Sequence, residues 1–206
     1  MLRFLRGCCL MASFAMLARP VAAQVAVGLR PFVGYYRPFG HFFRAPYLST
    51  ALPQRPSDLQ GVAWGGDVQV TLRKRFAIVA RGLTTTTTLP SCTCPGGPTD
   101  PAPVRVSMAI VEGQYDLSPA PARYHLRATG GPALIRNSGP GYEQPDSPVS
   151  WGGAFGFELA LRLASSWQLV GTGTGVAYAF VLDSPPQRGP MRDAILSIGV
   201  RWHSGS

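Results

Sequence analysis

Eight segments of this chain alternate with a period of two between apolar residues and small or polar residues, and no segment shows a convincing helical stripe. A period of two places successive side chains on opposite faces of a β-strand. Each segment has roughly the ten residues that a tilted membrane-spanning strand needs. The segments are residues 26–37, 61–72, 75–87, 104–117, 123–136, 149–162, 167–181 and 191–202. The alternation therefore predicts an all-β chain.

The two faces of these segments differ in size and polarity. In residues 149–162, one face carries tryptophan, phenylalanine and leucine, and the other carries mainly glycine, alanine and serine. A soluble, lipocalin-like ligand-binding barrel of the periplasm is the alternative, but its polar face would have to be rich in charge. Small residues suit the cramped lumen of a membrane barrel, and lipid forbids open sheet edges. We therefore expect an eight-stranded antiparallel transmembrane β-barrel with the bulky apolar face towards lipid.

The connections between the segments alternate in length, and they contain nearly all of the prolines after residue 23. Only Pro31 and Pro132 lie inside the predicted strands, as expected for a residue that cannot donate to a β-ladder. The long connections are residues 39–60, 88–103, 137–148 and 182–190, and the short ones are residues 73–74, 118–122 and 163–166. This asymmetry is typical of outer-membrane barrels, whose periplasmic turns are short. It predicts that both termini lie in the periplasm.

The N-terminus has the features of a cleavable signal peptide. Arg3 and Arg6 are followed by a short apolar run over residues 8–18, and small residues at 21–23 precede an expected cleavage site before Gln24. The predicted organisation is a signal peptide over residues 1–23 and one barrel domain over residues 24–206.

The net charge of +9 does not indicate a nucleic-acid-binding protein. Three arginines lie in the predicted signal peptide, which leaves +6, and the others are scattered along the chain. Nucleic-acid-binding proteins usually gather their charge on one face. Charged residues make up 14% of the chain, against about a quarter in typical soluble domains, and the mean hydropathy is +0.09. The composition favours a membrane protein.

No cofactor or metal site is predicted. Cys92 and Cys94 lie in a stretch rich in proline and glycine, without a histidine or further cysteine at zinc-binding spacing. A local disulfide, half of a metal site and an incidental pair in a loop remain open for them.

The inward face is predicted to carry a set of charged residues. Two roles are open: a network of ion pairs that neutralise one another, and a gated path for protons or ions. An eight-stranded barrel is just wide enough to be filled by side chains, which favours the network. The predicted lumen residues are Asp67, Arg81, Glu112, Arg127, Glu158, Arg162 and Arg201.

Aromatic residues cluster at both ends of the predicted strands, as in the girdles that lie at headgroup level. The inner band is Phe76, Tyr115, Tyr124, Trp167 and Trp202, and the outer band is Tyr35, Tyr36, Trp64, Trp151, Tyr178 and Phe180. The first long connection combines aromatic residues with arginine, a composition enriched at interaction hot spots. Its candidate surface contacts are Phe42, Phe43, Arg44 and Tyr47.

The last strand, Ser197 to Trp202, is similar to the C-terminal insertion signal of outer-membrane barrels, with a polar residue, a glycine and an aromatic residue at the expected spacing. With the eight-strand pattern, the chain resembles the small barrels of the OmpA transmembrane domain and OmpX group. The resemblance implies a location in the cell outer membrane, with outer-membrane lipid and lipopolysaccharide around the barrel. It also implies recognition by the barrel-insertion machinery and a surface ligand of unknown identity.

The sequence favours a non-catalytic protein with a structural or surface-interaction role through its extracellular loops. The alternative is an outer-membrane lipid-modifying hydrolase, which would need a serine, a histidine and an acid close together. The candidates are His41 in the first loop, His203 at the C-terminus, and His125, which Glu112 or Asp116 could approach. None of the three histidines lies in a His-x-Ser-Asn arrangement, so no catalytic residue is assigned.

Overall fold

A computed structural model describes residues 26–39, 60–89, 93–94, 97–98, 102–119, 122–138, 149–183 and 186–204. It contains eight long strands, which are β1 Ala26–Phe39, β2 Gly61–Arg73, β3 Phe76–Leu89, β4 Ala102–Asp116, β5 Tyr124–Ser138, β6 Val149–Ala164, β7 Trp167–Asp183 and β8 Pro186–His203. A short ladder also pairs Thr93–Cys94 with Gly97–Pro98. Within these described ranges, no helix is long and apolar enough to cross a membrane.

The eight long strands close into one antiparallel barrel. Each strand pairs with the next one in sequence, and β1 pairs with β8. At this closure Gly28 lies opposite His203, and Phe39 lies opposite Arg192. Because β1 and β8 satisfy each other's backbone groups, the closed sheet has no edge that lipid would expose. The predicted eight-stranded antiparallel barrel is confirmed.

The two ends of the barrel differ in their connections. The turn end holds the short turns at residues 74–75 and 165–166, the segment between β4 and β5, and the first and last strand residues. The opposite end, here called the loop end, holds the connections after β1, β3, β5 and β7. The first three of these separate strands that end at 39, 89 and 138 from strands that begin at 61, 102 and 149.

The exterior of the barrel is apolar. Trp64, Trp151 and Phe155 are 63%, 73% and 64% exposed, and large apolar side chains of the other strands are exposed with them. A protein surrounded by water would bury residues of this size. The expected orientation of the two faces is confirmed, and a soluble barrel with its apolar face inward does not fit.

The lumen is divided into two layers, which the sequence pattern did not predict. The half nearer the turn end is the charged layer, formed by Arg30, Asp67, Arg81, Glu112, Glu158 and Arg201. The half nearer the loop end is the apolar layer, formed by Phe32, Tyr36, Ala63, Leu83, Val106, Met108, Ile110, Ala133, Ile135, Ala154, Val176, Tyr178, Met191 and Ile195. The inward face was expected to be small and polar throughout, and this expectation is wrong for the loop-end half.

The last connection is shorter than predicted. β7 and β8 remain paired as far as Asp183, which lies opposite Pro186. The prediction of a long connection over residues 182–190 is therefore wrong. Pro186 and Pro190 consequently lie inside β8, and Pro38 and Pro103 lie inside β1 and β4. These four prolines are near the loop-end termini of their strands, whereas a proline is most disruptive in the middle of a central strand.

Two residues of the predicted outer aromatic band, Tyr36 and Tyr178, do not lie on the exterior. Both were expected on the exterior, but they face the lumen and are 2% and 6% exposed. In β1 the outward position is taken by the neighbouring Tyr35, which is 42% exposed. Because adjacent residues on a strand point to opposite faces, only one residue of a Tyr-Tyr pair can contact lipid.

Candidate functional site

The centre of the charged layer is Asp67 of β2. The Nε of Arg30 donates to the Oδ2 of Asp67 over 2.8 Å, and Arg30 is the residue opposite Asp67 in the β1–β2 ladder. The Nη2 of Arg201 donates to the other carboxylate oxygen, Oδ1, over 3.3 Å. The Nε of Arg81 lies 3.6 Å from Oδ2. One aspartate therefore connects arginines from three strands.

Glu158 of β6 is the second anionic centre of the layer. Arg201 binds both of its oxygens, with Nη1 2.6 Å from Oε1 and Nη2 2.7 Å from Oε2. Arg127 donates to Oε1 over 2.6 Å, and Gln114 donates to Oε2 over 3.2 Å. Bidentate pairing of a guanidinium and a carboxylate fixes the relative orientation of the two groups and strengthens their interaction. Arg201 thus joins β8 to both β6 and β2 through the lumen.

Glu112 of β4 completes the network. The Nη2 of Arg81 lies 3.2 Å from the Oε2 of Glu112, and the hydroxyl of Thr129 donates to Oε1 over 3.4 Å. Arg81 also donates from Nη1 to the hydroxyl of Thr174 over 2.8 Å. Among the described residues, three buried carboxylates are therefore shared between four arginines, and isolated buried charges are avoided.

Phe32 of β1 forms the boundary between the charged layer and the apolar layer. The guanidinium carbons of Arg30 and Arg81 lie 5.0 and 6.0 Å from the centre of its ring, within the range of cation–π attraction. Beyond Phe32 the lumen is largely apolar, and there Asp193 accepts a hydrogen bond from the hydroxyl of Tyr36 over 2.9 Å. Arg81 of β3 and Asp193 of β8 therefore contact β1 at either end of the apolar layer.

At the turn end, His125 and Asp116 form the pair that the hydrolase alternative requires. The Nδ1 of His125 lies 2.7 Å from the Oδ2 of Asp116, and the backbone N–H of Ser118 donates to Oδ1 over 2.9 Å. The hydroxyl of Ser118 accepts the N–H of Leu126 over 2.6 Å. Within the described segments, no hydrogen bond joins this hydroxyl to His125.

The other histidines do not join this pair. His41 lies outside the described residues. His203 was expected at an exposed C-terminus, but it is half buried at the end of β8. In the part of the chain that is described, no group of three or more histidine, cysteine, aspartate or glutamate side chains is arranged to hold a metal ion.

The structure brings together most of the predicted lumen residues. Asp67, Arg81, Glu112, Glu158 and Arg201 are all buried in one network. Arg127 lies at its edge with a side chain that is 13% exposed. Arg162 differs from the prediction because it is exposed at the turn end of β6, where the register with β7 shifts between residues 162 and 164.

Sequence reasoning missed Arg30, although it is 1% exposed and binds Asp67. The signal was present, because Leu29, Val33 and Tyr35 alternate with Arg30, Phe32 and Gly34 along β1. It also missed the hydrogen-bonded pair Gln69 and Gln114, in which Nε2 of Gln69 donates to Oε1 of Gln114 over 2.6 Å.

Seven residues of the predicted aromatic girdle lie on the exterior of the barrel. Seven of the predicted girdle side chains are exposed: Trp64, Phe76, Tyr115, Tyr124, Trp151, Trp167 and Trp202. Phe76 and Tyr115 also contact each other edge to face, with ring centres 5.0 Å apart. The predicted surface contacts Phe42, Phe43, Arg44 and Tyr47 lie outside the described residues, as do the predicted signal peptide and Cys92.

Comparisons with known proteins find likeness only at the level of structure. No protein-family model matches the chain, and no curated protein matches it by sequence.

Three solved structures illustrate the likeness. Neisserial surface protein A superimposes with a TM-score of 0.59 at 10% identity, over 86% of this chain and 97% of that protein. The outer membrane protein OprG of Pseudomonas aeruginosa gives 0.57 at 7% identity, over 88% and 97%. Ail, the attachment invasion locus protein of Yersinia pestis, in complex with the heparin analogue sucrose octasulfate, gives 0.52 at 8% identity, over 87% and 99%. The chain therefore has the fold of the small bacterial outer-membrane β-barrels, with an apolar exterior suited to lipid.

Proposed function

We propose that this protein is a closed, non-catalytic outer-membrane barrel that holds its loops at the cell surface in a structural or surface-interaction role. The observation that carries the proposal is the sealed lumen. Glu112, Glu158 and Arg201 have 0% of their surface open to water, and Arg30 has 1%. Charged groups that lined an aqueous pore would be hydrated, whereas these are buried and form ion pairs with one another. The apolar layer above them is an additional barrier to ions.

Electrical recordings test the closed lumen directly. We expect the purified protein, folded and inserted into planar bilayers at neutral pH, to give no discrete conductance steps above the lipid baseline. The physical reason is that ions would have to cross a dehydrated ion-pair network and then an apolar layer. An established porin inserted in the same way is the positive control. Stable, reproducible steps from the wild-type protein would contradict the proposal.

Surface interaction would take place at the loop end. The predicted contacts Phe42, Phe43, Arg44 and Tyr47 follow directly after β1 in the sequence. Aromatic residues and arginine are enriched where few residues carry most of the binding energy. The complex of Ail with a heparin analogue supports ligand binding by a protein of this fold. The turn end would face the periplasm, as the short turns favour.

The hydrolase alternative makes a separate prediction about lipid A. We expect lipid A from cells that express the wild-type protein to have the same mass as lipid A from cells with empty vector, and His125→Ala to change nothing. The reason is that, within the described segments, His125 is bound to Asp116 and no hydrogen bond joins it to the Ser118 hydroxyl. Mass spectrometry of extracted lipid A checks this. A mass change that requires His125 would establish an enzyme instead.

A further inference from the structure

A shallow apolar groove of roughly 740 Å³ crosses the exterior of the barrel. Its floor is formed by Gly171 and Gly173 of β7, which have no side chain to fill the space. Each glycine lies between two bulky residues in register, one on β6 and one on β8. The four wall residues are Phe157, Leu159, Leu196 and Ile198.

The groove is open space and not a close contact between strands. A methyl group added at Gly171 would have its nearest neighbour 4.0 Å away, at the carbonyl oxygen of Ser197. One added at Gly173 would lie 3.5 Å from Cδ2 of Leu196, an ordinary van der Waals distance. The barrel therefore tolerates larger residues at both positions, and its own side chains leave the groove unfilled.

Two arginines lie on the exterior on the loop-end side of this groove. Arg37 is two residues beyond Tyr35, which lines the groove on the same face of β1. Arg192 of β8 is diagonal to Arg37 in the β1–β8 ladder, since Arg37 lies opposite Ala194 and Arg192 lies opposite Phe39. Diagonal neighbours are about 7–8 Å apart, a separation that one phosphate group can bridge.

These arginines lack carboxylate partners on the barrel. Both are exposed, and neither forms an ion pair with any described residue. The carboxylates whose side chains are described are all buried on the lumen side, namely Asp67, Glu112, Asp116, Glu158 and Asp193. The exterior of the barrel therefore carries positive charge on the loop-end side of the apolar groove.

We propose that the groove with Arg37 and Arg192 is a binding site for a phosphorylated, acylated lipid of the loop-end leaflet. One acyl chain would occupy the space above Gly171 and Gly173, and the phosphate would bind the two guanidinium groups, whose planar donors match phosphate oxygens. The site goes beyond the proposed function, because it requires neither a closed lumen nor the loops. A second copy of the chain fits less well, since the described exterior offers no carboxylate for the arginines.

Lipid retention by the folded protein tests the proposal. The full-length mature chain is folded in detergent micelles, mixed with diphosphoryl lipid A as the probe, and examined by native mass spectrometry. We expect the wild-type protein to retain one lipid A. Gly171→Leu with Gly173→Leu should lower retention about tenfold or more by filling the groove. Arg37→Gln with Arg192→Gln should do the same, because each lost charge-assisted hydrogen bond costs at least that much.

Matched controls separate the site from general effects. Gly82→Leu adds the same side chain at an exterior glycine of β3 with no atom within 4 Å, and Arg162→Gln removes an exposed arginine at the turn end; both should retain lipid A normally. Dephosphorylated lipid A should bind the wild-type protein as weakly as diphosphoryl lipid A binds the arginine variant. Excess inorganic phosphate should not displace the lipid, which distinguishes a lipid site from a phosphate site.

Three results would overturn the proposal. The first is equal loss of lipid A in the Gly82→Leu control and the groove variant. The second is displacement of lipid A by inorganic phosphate alone. The third is a wild-type dimer that becomes monomeric in the groove variant, which would show that a second copy occupies the groove. All variants must first show the heat-dependent gel shift of a folded barrel.

Discussion

Replacing Arg201 with alanine is expected to lower the free energy of unfolding by roughly 3–5 kcal/mol, the cost of leaving buried charges without their partner. Arg201 has no exposed surface, and it binds both oxygens of Glu158 and one oxygen of Asp67. Its removal leaves Glu158 with the neutral Gln114 and with Arg127, which lies at the edge of the network. Urea titration of the refolded protein in lipid, followed by tryptophan fluorescence, measures the change.

A double-mutant cycle identifies the cause of this loss. Glu158→Gln alone should also be strongly destabilising, because it leaves Arg201 underpaired. The combination Arg201→Ala with Glu158→Gln should cost clearly less than the sum of the two single changes, since contacting partners are not additive. Arg162→Ala, at an exposed arginine, should stay within about 0.5 kcal/mol of the wild type. Additive effects of the two lumen changes would show that the pairing of Arg201 with Glu158 is not the cause of the loss.

Gly131→Ala is expected to lower the fraction of protein that folds into the closed barrel. A methyl group at Gly131 would overlap the carbonyl oxygen of Val111 and lie 3.0 Å from the Cα of Glu112. Here the ladder between β4 and β5 is interrupted next to Pro132, which has no N–H to donate. Backbone atoms move less readily than side-chain tips, so we expect a cost of about 3 kcal/mol or more.

The matched control is Gly153→Ala on the adjacent strand β6. Gly153 lies opposite Pro132, but it is on the exterior, and an added methyl group would meet no atom within 4 Å. It should fold like the wild-type protein. The readout is the fraction of unboiled protein that migrates as the folded form on a gel. Equal folding of the two variants would be incompatible with the close approach at Gly131.

The strands were predictable because the side chains on each face of a strand match the medium that this face contacts. A strand with lipid on one side and a narrow lumen on the other must alternate every second residue. This rule located β2 to within one residue and β6 to within two, and it oriented Trp151 and Phe157 towards lipid. It also assigned Asp67 and Glu158 to the lumen. These are local properties, readable without knowledge of which strands are neighbours.

The boundaries at the loop end were less predictable. Proline indicated that β8 begins after Pro190, yet the ladder reaches Pro186. Paired strands can extend beyond the level where lipid contacts the barrel, and there the alternation of size and polarity no longer has to be maintained. Arg162 shows the same limit at the turn end, since a shift in register next to a turn cannot be derived from alternation.

The sequence by itself therefore determined the number of strands, their approximate positions and which face of each meets lipid. Only the tertiary structure decided which charges are partners, because the pairing of Arg30 with Asp67 and of Arg201 with Glu158 depends on the register and closure of the barrel. The separation of the lumen into a charged and an apolar layer, and the groove over Gly171 and Gly173, are likewise properties of neighbouring strands. The physical reason is that alternation is set within each strand by the two media it separates, whereas a contact across the lumen or between strands exists only once the barrel has closed.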